Sequence, residues 1–266
     1  MNRLPNAARS GVRALRLLSL AIVMPGAVGL VAFGGNRPAE PTRGPAVESG
    51  LGSDTTYTVT DLPLTEIPVT DTGSTFVVMI TGDGGWAPAD RGISKALAAR
   101  GVPVVGLSSP RYLASARTPD ETARDLARIL RHYMAAWERN RAVVIGYSRG
   151  ADLAPFMVSR LSDDLRRHVV LVALLGPSEW AGFQFHIVDL LTNTHRDGDV
   201  PVAPEIERLR GTTVLCVYGR RDRDAICPSL DAKLARPIVR DGGHAIAGRE
   251  GTALADSILA ALPRAR

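Results

Sequence analysis

The pentapeptide Gly146-Tyr147-Ser148-Arg149-Gly150 follows the apolar run that ends at Ile145 and leads into the helical Ala151-Asp152-Leu153. A G-x-S-x-G segment between a strand and a helix turns sharply only if the residues beside the serine lack bulk. The hydroxyl then stands clear of the sheet. The helix that starts there adds partial positive charge close to a developing oxyanion. The chemistry expected of Ser148 is nucleophilic attack on a carbonyl. It requires a base, and an acid that orients the base.

Chain order narrows the search for those partners, because in strand–turn–helix hydrolases the acid and then the base follow the nucleophile, each after a strand. After Thr213–Tyr218 comes Gly219-Arg220-Arg221-Asp222-Arg223-Asp224-Ala225-Ile226-Cys227-Pro228, and near the end Asp241-Gly242-Gly243-His244. Of the five histidines only His244 lies beyond the acid loop and before the closing helix. The paired glycines before it permit the sharp return of the chain. His132 falls inside a helical pattern and His168 begins a strand, while His186 and His195 precede the acid. Asp222 has the Gly-x-x-Asp offset, and Asp224 stands just before the turn closed by Cys227-Pro228. Both are candidates for the acid, with Asp224 favoured. For the oxyanion, the residue after the serine supplies one N–H, that of Arg149. The second is expected from Thr81-Gly82-Asp83-Gly84-Gly85-Trp86, with Gly84, Gly85 or Trp86 as donor. This glycine run lacks the G-x-G-x-x-G spacing of a dinucleotide loop.

The elements that must position these residues are legible as short β-rich runs at Thr56–Thr60, Phe76–Thr81, Val102–Leu107, Ala142–Ile145, Val169–Leu175, Thr213–Tyr218 and Pro237–Val239. Several are continuous apolar runs, as expected of strands covered on both faces. Between them lie helical patterns. The clearest opens with Thr118, Pro119 and Glu121, a capping box, and carries Leu126, Ile129, Leu130, Tyr133, Met134 and Trp137 on one face. A last helix is expected over Gly251–Leu262. The fold class is therefore α/β, an α/β-hydrolase fold: a mostly parallel sheet with helices on both faces, occupying 55–266. Its site belongs at the carboxyl ends of the strands. The connection Gly176–Gly211 is too long for a plain loop and reads as a cap-like insertion. It holds Phe183 and Phe185, two of the five phenylalanines, as candidates for an apolar substrate wall, with a small satellite core beneath the cap as the alternative. Asp83 and Asp152 are candidates to meet a substrate amino group, with loop or helix stabilisation as the alternative.

Composition limits the function further. The net charge of +5 is concentrated at the N-terminus, where Arg3, Arg9, Arg13 and Arg16 stand without an acid in the first 36 residues, leaving about +1 for the remainder. No basic cluster interleaved with aromatics occurs there, so nucleic-acid binding is not expected. Those arginines precede the apolar stretch Leu17–Phe33, and residues 1–35 read as a signal peptide or membrane anchor. Residues 36–54, rich in Gly, Pro and Ser, read as a flexible linker. The body is expected outside the cytoplasm, periplasmic or tethered to the inner membrane. There the only two cysteines, Cys216 and Cys227, form a disulfide candidate that would tie the acid loop to its own strand. Two cysteines without a nearby His cluster make no zinc site, and no metal or cofactor is expected.

Beyond these separate signals, the blocks TGDGGWAPADRGISKALAARGVPVVGL, SARTPDETARDLARILRHY, GYSRGADLAPF and LCVYGRRDRDAICPSL, with the GGH near the end, resemble the VirJ/AcvB family of bacterial exported virulence-associated proteins over roughly 62–262. The resemblance implies a periplasmic α/β-hydrolase in which Ser148, His244 and the Asp preceding Cys227 are functional. Some members hydrolyse aminoacylated phosphatidylglycerol, chiefly the lysyl form. The resemblance thus implies a serine esterase acting on a membrane phospholipid, with secretion-system or envelope proteins as partners. This chain departs from the family pattern at Arg149, where an aromatic residue is common, and at Ala245-Ile246-Ala247 after the histidine. The competing expectations are an esterase for another acyl substrate and an exported binding or secretion-accessory protein on the same scaffold.

Overall fold

The structure is a computed structural model that describes residues 57–190, 195–246 and 251–264. The expected signal or anchor segment and the linker lie outside the described residues. No described helix is long and apolar enough to cross a membrane.

The elements run in the order β1 (Leu64–Ile67), β2 (Thr75–Ile80), α1 (Pro88–Ala98), β3 (Val104–Leu107), α2 (Ser109–Tyr112), α3 (Pro119–Ala136), β4 (Arg141–Tyr147), α4 (Arg149–Ser159), α5 (Asp163–Arg166), β5 (Val169–Leu175), β6 (Trp180–Ala181), β7 (Val200–Pro201), α6 (Ala203–Glu207), β8 (Thr213–Gly219), β9 (Arg236–Arg240) and α7 (Gly251–Ala260). Seven strands form one sheet in the order β1-β3-β2-β4-β5-β8-β9. All neighbours are parallel except β1 against β3.

Alternation along β2 explains why the sheet is covered on both faces. Phe76, Val78 and Ile80 meet Leu126, Ile129 and Leu130 of α3 and the apolar side of α4. Val77 and Met79 meet Ile93 and Leu97 of α1 and Leu254 and Ile258 of α7. The period of two along a strand thus divides one apolar run between two cores. α3 opens as its sequence requires. Thr118 Oγ1 accepts the Glu121 N–H at 3.2 Å, and Glu121 Oε2 accepts the Thr118 N–H at 2.7 Å.

The first strand differs from expectation. Instead of Thr56–Thr60, it is Leu64–Ile67, the antiparallel edge strand. The described residues from Tyr57 turn rather than extend, with the Leu62 N–H donating to Val59 O at 3.0 Å so that both side chains enter the core. Arg128 and His132 of α3 bond the Thr58 and Tyr57 carbonyls, which are then not available to a neighbouring strand.

The insertion between β5 and β8 contains the two-stranded β6–β7 ladder, a 3₁₀ turn at Ile187–Leu190 and α6. Cys216 of β8 and Cys227 are joined by a disulfide, with Cα atoms 5.6 Å apart and a separation of 11 residues. It closes a short loop and contributes on the order of 3 kcal/mol through the unfolded chain. Reduction, or Cys227→Ala with Cys216→Ala, is expected to lower Tm by about 6–12 °C in differential scanning calorimetry. An unchanged Tm would show that the loop is held without it.

Candidate active site

The turn from β4 into α4 leaves no freedom for the serine. Ser148 has φ of 51° and ψ of −120°, a region that residues with a Cβ rarely occupy. Close backbone contacts maintain it. A Cβ added to Gly146 would lie 2.2 Å from Gly150 O, and one added to Gly150 would lie 2.0 Å from Ile80 O. The Ser148 N–H donates to Leu175 O at 2.8 Å, which fixes the turn against β5. The result is a hydroxyl presented above the carboxyl edge of the sheet.

Ser148 Oγ lies 2.8 Å from His244 Nε2, and His244 Nδ1 lies 3.0 Å from Asp222 Oδ2. The three side chains come from three separate strand ends. The Asp222 side chain is 3% exposed and that of His244 44%. The ring is therefore open toward solvent with a covered carboxylate behind it. Gly242 adopts φ of 120°, as the return of the chain before His244 demands. Gly176, at φ of 65°, packs beneath the ring, where an added Cβ would lie 3.2 Å from Cε1.

The acid facing the ring is Asp222, not the favoured Asp224. The Asp222 N–H donates to Gly219 O at 2.9 Å, so the chain turns at the end of β8 and keeps residue 222 at the sheet edge. Bonds from Arg220 N–H to Arg240 O and from Arg221 N–H to Gly242 O, both 2.8 Å, hold that edge against the histidine loop. Two residues later the chain has swung outward. Asp224 reaches Asp222 only through its own N–H, at 3.3 Å from Oδ1, and its side chain lines the neighbouring cavity.

The glycine loop is also placed differently from expectation. Gly82, not Gly84–Trp86, lies against the serine, where an added Cβ would be 3.2 Å from Ser148 Cβ. The Gly85 N–H donates to Gly82 O at 3.0 Å and so closes a turn of its own. Trp86 lays its ring over Gly106 of β3, and Gly84 lies against Ala87. The part of this loop that lies against the nucleophile turn is therefore Gly82, next to Tyr147 and Ser148.

Of the expected substrate contacts, Asp83 accepts from Arg149 Nε at 3.1 Å, and Arg149 is 8% exposed. Asp152 is 4% exposed, with both carboxylate oxygens bonded to Ser178. Phe183 and Phe185 pack against the main core, Phe183 edge-on to buried Phe156 with centroids 5.2 Å apart. Apolar composition in an insertion does not distinguish a lid from a core. A cavity of about 190 Å³ is lined by Arg149, the residue after the serine, with Glu179, Trp180, Asp199, Arg223 and Asp224 among others. Its wall includes the stacked rings of Trp180 and His195, 4.2 Å apart. Sequence reasoning missed Gly82, Gly176, Glu179 and Asp199. Only the G-x-G pattern at 82–84 carried a local signal.

Residues 74–266 match the family model described as "Bacterial virulence protein (VirJ)". The chain belongs to this family. No curated protein matches the VirJ-family chain. Among solved structures it is similar to MenH from S. aureus, with TM-score 0.56, 10% identity, and coverage of 74% of this chain and 97% of that one. It is also similar to Est1E from Butyrivibrio proteoclasticus with bound ferulic acid, with TM-score 0.55, 11% identity, and coverage of 74% and 92%. A thioesterase domain from the curacin biosynthetic pathway follows at TM-score 0.50, 16% identity, and coverage of 74% and 94%. At such identities the likeness establishes the α/β-hydrolase fold.

Asp222→Asn is expected to slow reaction of Ser148 with a fluorophosphonate by about 10³–10⁴-fold, the scale of losing the acid behind a histidine base. Asp224→Asn should slow it by less than about tenfold, since a residue that does not touch the ring changes only rim electrostatics. Equal effects would remove the distinction between the two acids.

Proposed function

We propose that this VirJ-family chain is a serine carboxylic ester hydrolase. The observation that carries the reading is the unbroken relay from Ser148 through His244 to Asp222, at 2.8 and 3.0 Å, above a strained strand-to-helix turn. His244 Nδ1–H donates to Asp222, which leaves Nε2 free of a proton and able to accept that of Ser148. The Ser148 oxygen attacks the ester carbonyl, and the charge that develops on the carbonyl oxygen is met by the Arg149 N–H and the Gly82–Asp83 backbone. The alcohol leaves with the proton from His244. Water activated by the same ring then releases the acyl group and restores the serine.

The substrate best supported is an aminoacyl ester of phosphatidylglycerol, lysyl or alanyl, reached by an exported or tethered protein outside the cytoplasmic membrane. The cavity that Arg149 lines carries Glu179, Asp199 and Asp224 against Arg149, Arg223 and His195, with Arg149 paired to Asp83 and Asp199 bonded to the Arg196 N–H. That balance suits an acyl group bearing an ammonium. Arg223 and the exposed apolar Ile187, 79% accessible, suit a phosphate headgroup at a lipid surface. The insertion would then shape the acyl pocket rather than form an apolar lid.

Purified wild-type protein is expected to label with a fluorophosphonate, whereas Ser148→Ala does not. On incubation with lysyl-, alanyl- and unmodified phosphatidylglycerol, thin-layer chromatography should show free amino acid from the first two only. An unlabelled wild type would favour a binding protein on a hydrolase scaffold. Labelling with all three lipids intact would retain the hydrolase and remove the lipid substrate.

A further inference from the structure

Asp152 lies one helical turn beyond Ser148, and both of its carboxylate oxygens are engaged by one residue. The Ser178 N–H donates to Oδ1 at 2.7 Å and Ser178 Oγ–H to Oδ2 at 2.9 Å. Ser178 belongs to the loop after β5, which touches the site at three places. Gly176 lies beneath the His244 ring. Pro177 O accepts the Ile226 N–H of the acid loop at 3.0 Å. Glu179 O accepts the Val202 N–H of the insertion at 2.9 Å. The helix that carries the nucleophile is thus fastened to the loop against which base and acid rest, and Asp152 is the fastening.

We infer that Asp152 is a positioning residue of the site: its ionised carboxylate clamps the Gly176–Glu179 loop to α4, so the seating of His244 and of the acid loop depends on the charge of Asp152. The clamp stands on geometry alone, while its consequence for turnover rests on the hydrolase reading.

The charged groups that face Asp152 are Arg149 on its own helix and His244 from the loop after β9. The loop between β5 and β6 contributes the dipoles of Ser178, and its one charged residue, Glu179, lines the neighbouring cavity. Burial pushes the Asp152 carboxyl up to about 7, against the lowering effects of the Ser178 bonds, Arg149 and His244. Protonation changes two charge-assisted bonds into neutral ones and removes a negative charge facing the imidazole. The stability sign runs the other way. Because the folded value lies above the unfolded one, 3.8, the native state holds a proton that the unfolded chain has released, and stability falls as pH rises through that window. An ionisable acid here therefore costs stability above neutrality, which a purely structural residue would not.

Asp152→Asn keeps the shape and both contacts, with the new amide donating to Ser178 Oγ, and removes only the charge. Two measurements on full-length protein test the clamp. In NMR, the Ser178 and Gly176 amide resonances of wild type should shift together as Asp152 ionises near pH 7, and in Asp152→Asn that shift should be absent. For hydrolysis of p-nitrophenyl acetate, the acid limb of log kcat against pH should fall more steeply in wild type than in Asp152→Asn. The variant should lose about tenfold in kcat at pH 8, the rate equivalent of roughly one pKa unit, with KM unchanged and Tm equal or higher. Ser178→Ala removes one bond that lowers the carboxyl, so its acid limb should move to higher pH rather than drop evenly. Ser178 and Gly176 amide resonances that follow the same pH course in wild type and Asp152→Asn would overturn the clamp, whether or not the ester is cleaved. The joint shift in wild type without ester hydrolysis or fluorophosphonate reaction would keep the clamp and reject the hydrolase reading.

Discussion

Everything at the sheet edge follows from how little room exists beneath residue 148. The backbones of β4, α4 and β2 approach so closely at Gly146 and Gly150 that a single methyl group on either would overlap a carbonyl. That closeness forces the chain through a conformation disfavoured for serine, and the turn persists because two cores, one on each face of the sheet, surround it. The strain is local, whereas the compensation is distributed over the domain. A hydroxyl held this way loses almost no freedom on meeting a partner, which is the condition for a short contact with His244.

The remaining groups reach the same point by different routes. β8 and β9 are adjacent parallel strands, so the loops that follow them emerge side by side, and backbone bonds between those loops set the distance from Asp222 to the ring. The loop after β5 supplies a floor through Gly176. Burial differs along the relay, with the carboxylate covered and the imidazole half open. The acid is thereby shielded from solvent, while the ring stays accessible to a reacting molecule. The Arg149 side chain is folded away onto Asp83.

How far this was legible in the sequence depends on the residue. Ser148 and His244 could be read because each is tied to a strand end by a local pattern, glycines around one and before the other. The choice between Asp222 and Asp224 could not, since two acids two positions apart in an irregular loop differ only in how the chain turns after β8. That turn is decided by bonds to β9, a strand 14 or more residues further along. Gly82 was passed over for Gly84 and Gly85 because all three look alike in one dimension. For Phe183 and Phe185, composition left a substrate wall and a small core equally open, because the packing of Phe183 on Phe156 is a contact distant in sequence. The sheet itself was plain from its apolar runs. Its exception was β1, an edge strand with Glu66 exposed and too little apolar periodicity to outweigh the threonine-rich segment before it.

The bridge between Cys216 and Cys227 has a bearing on maturation. Cys216 is buried in the strand that ends just before the acid loop, and Cys227 lies a few residues past Asp222, so oxidation shortens the tether on which that carboxylate hangs. A chain whose thiols are still reduced carries the same three side chains, but with one of them on a longer leash. The placement of Asp222 behind the imidazole and the redox state of two thiols are thereby coupled through a single covalent link.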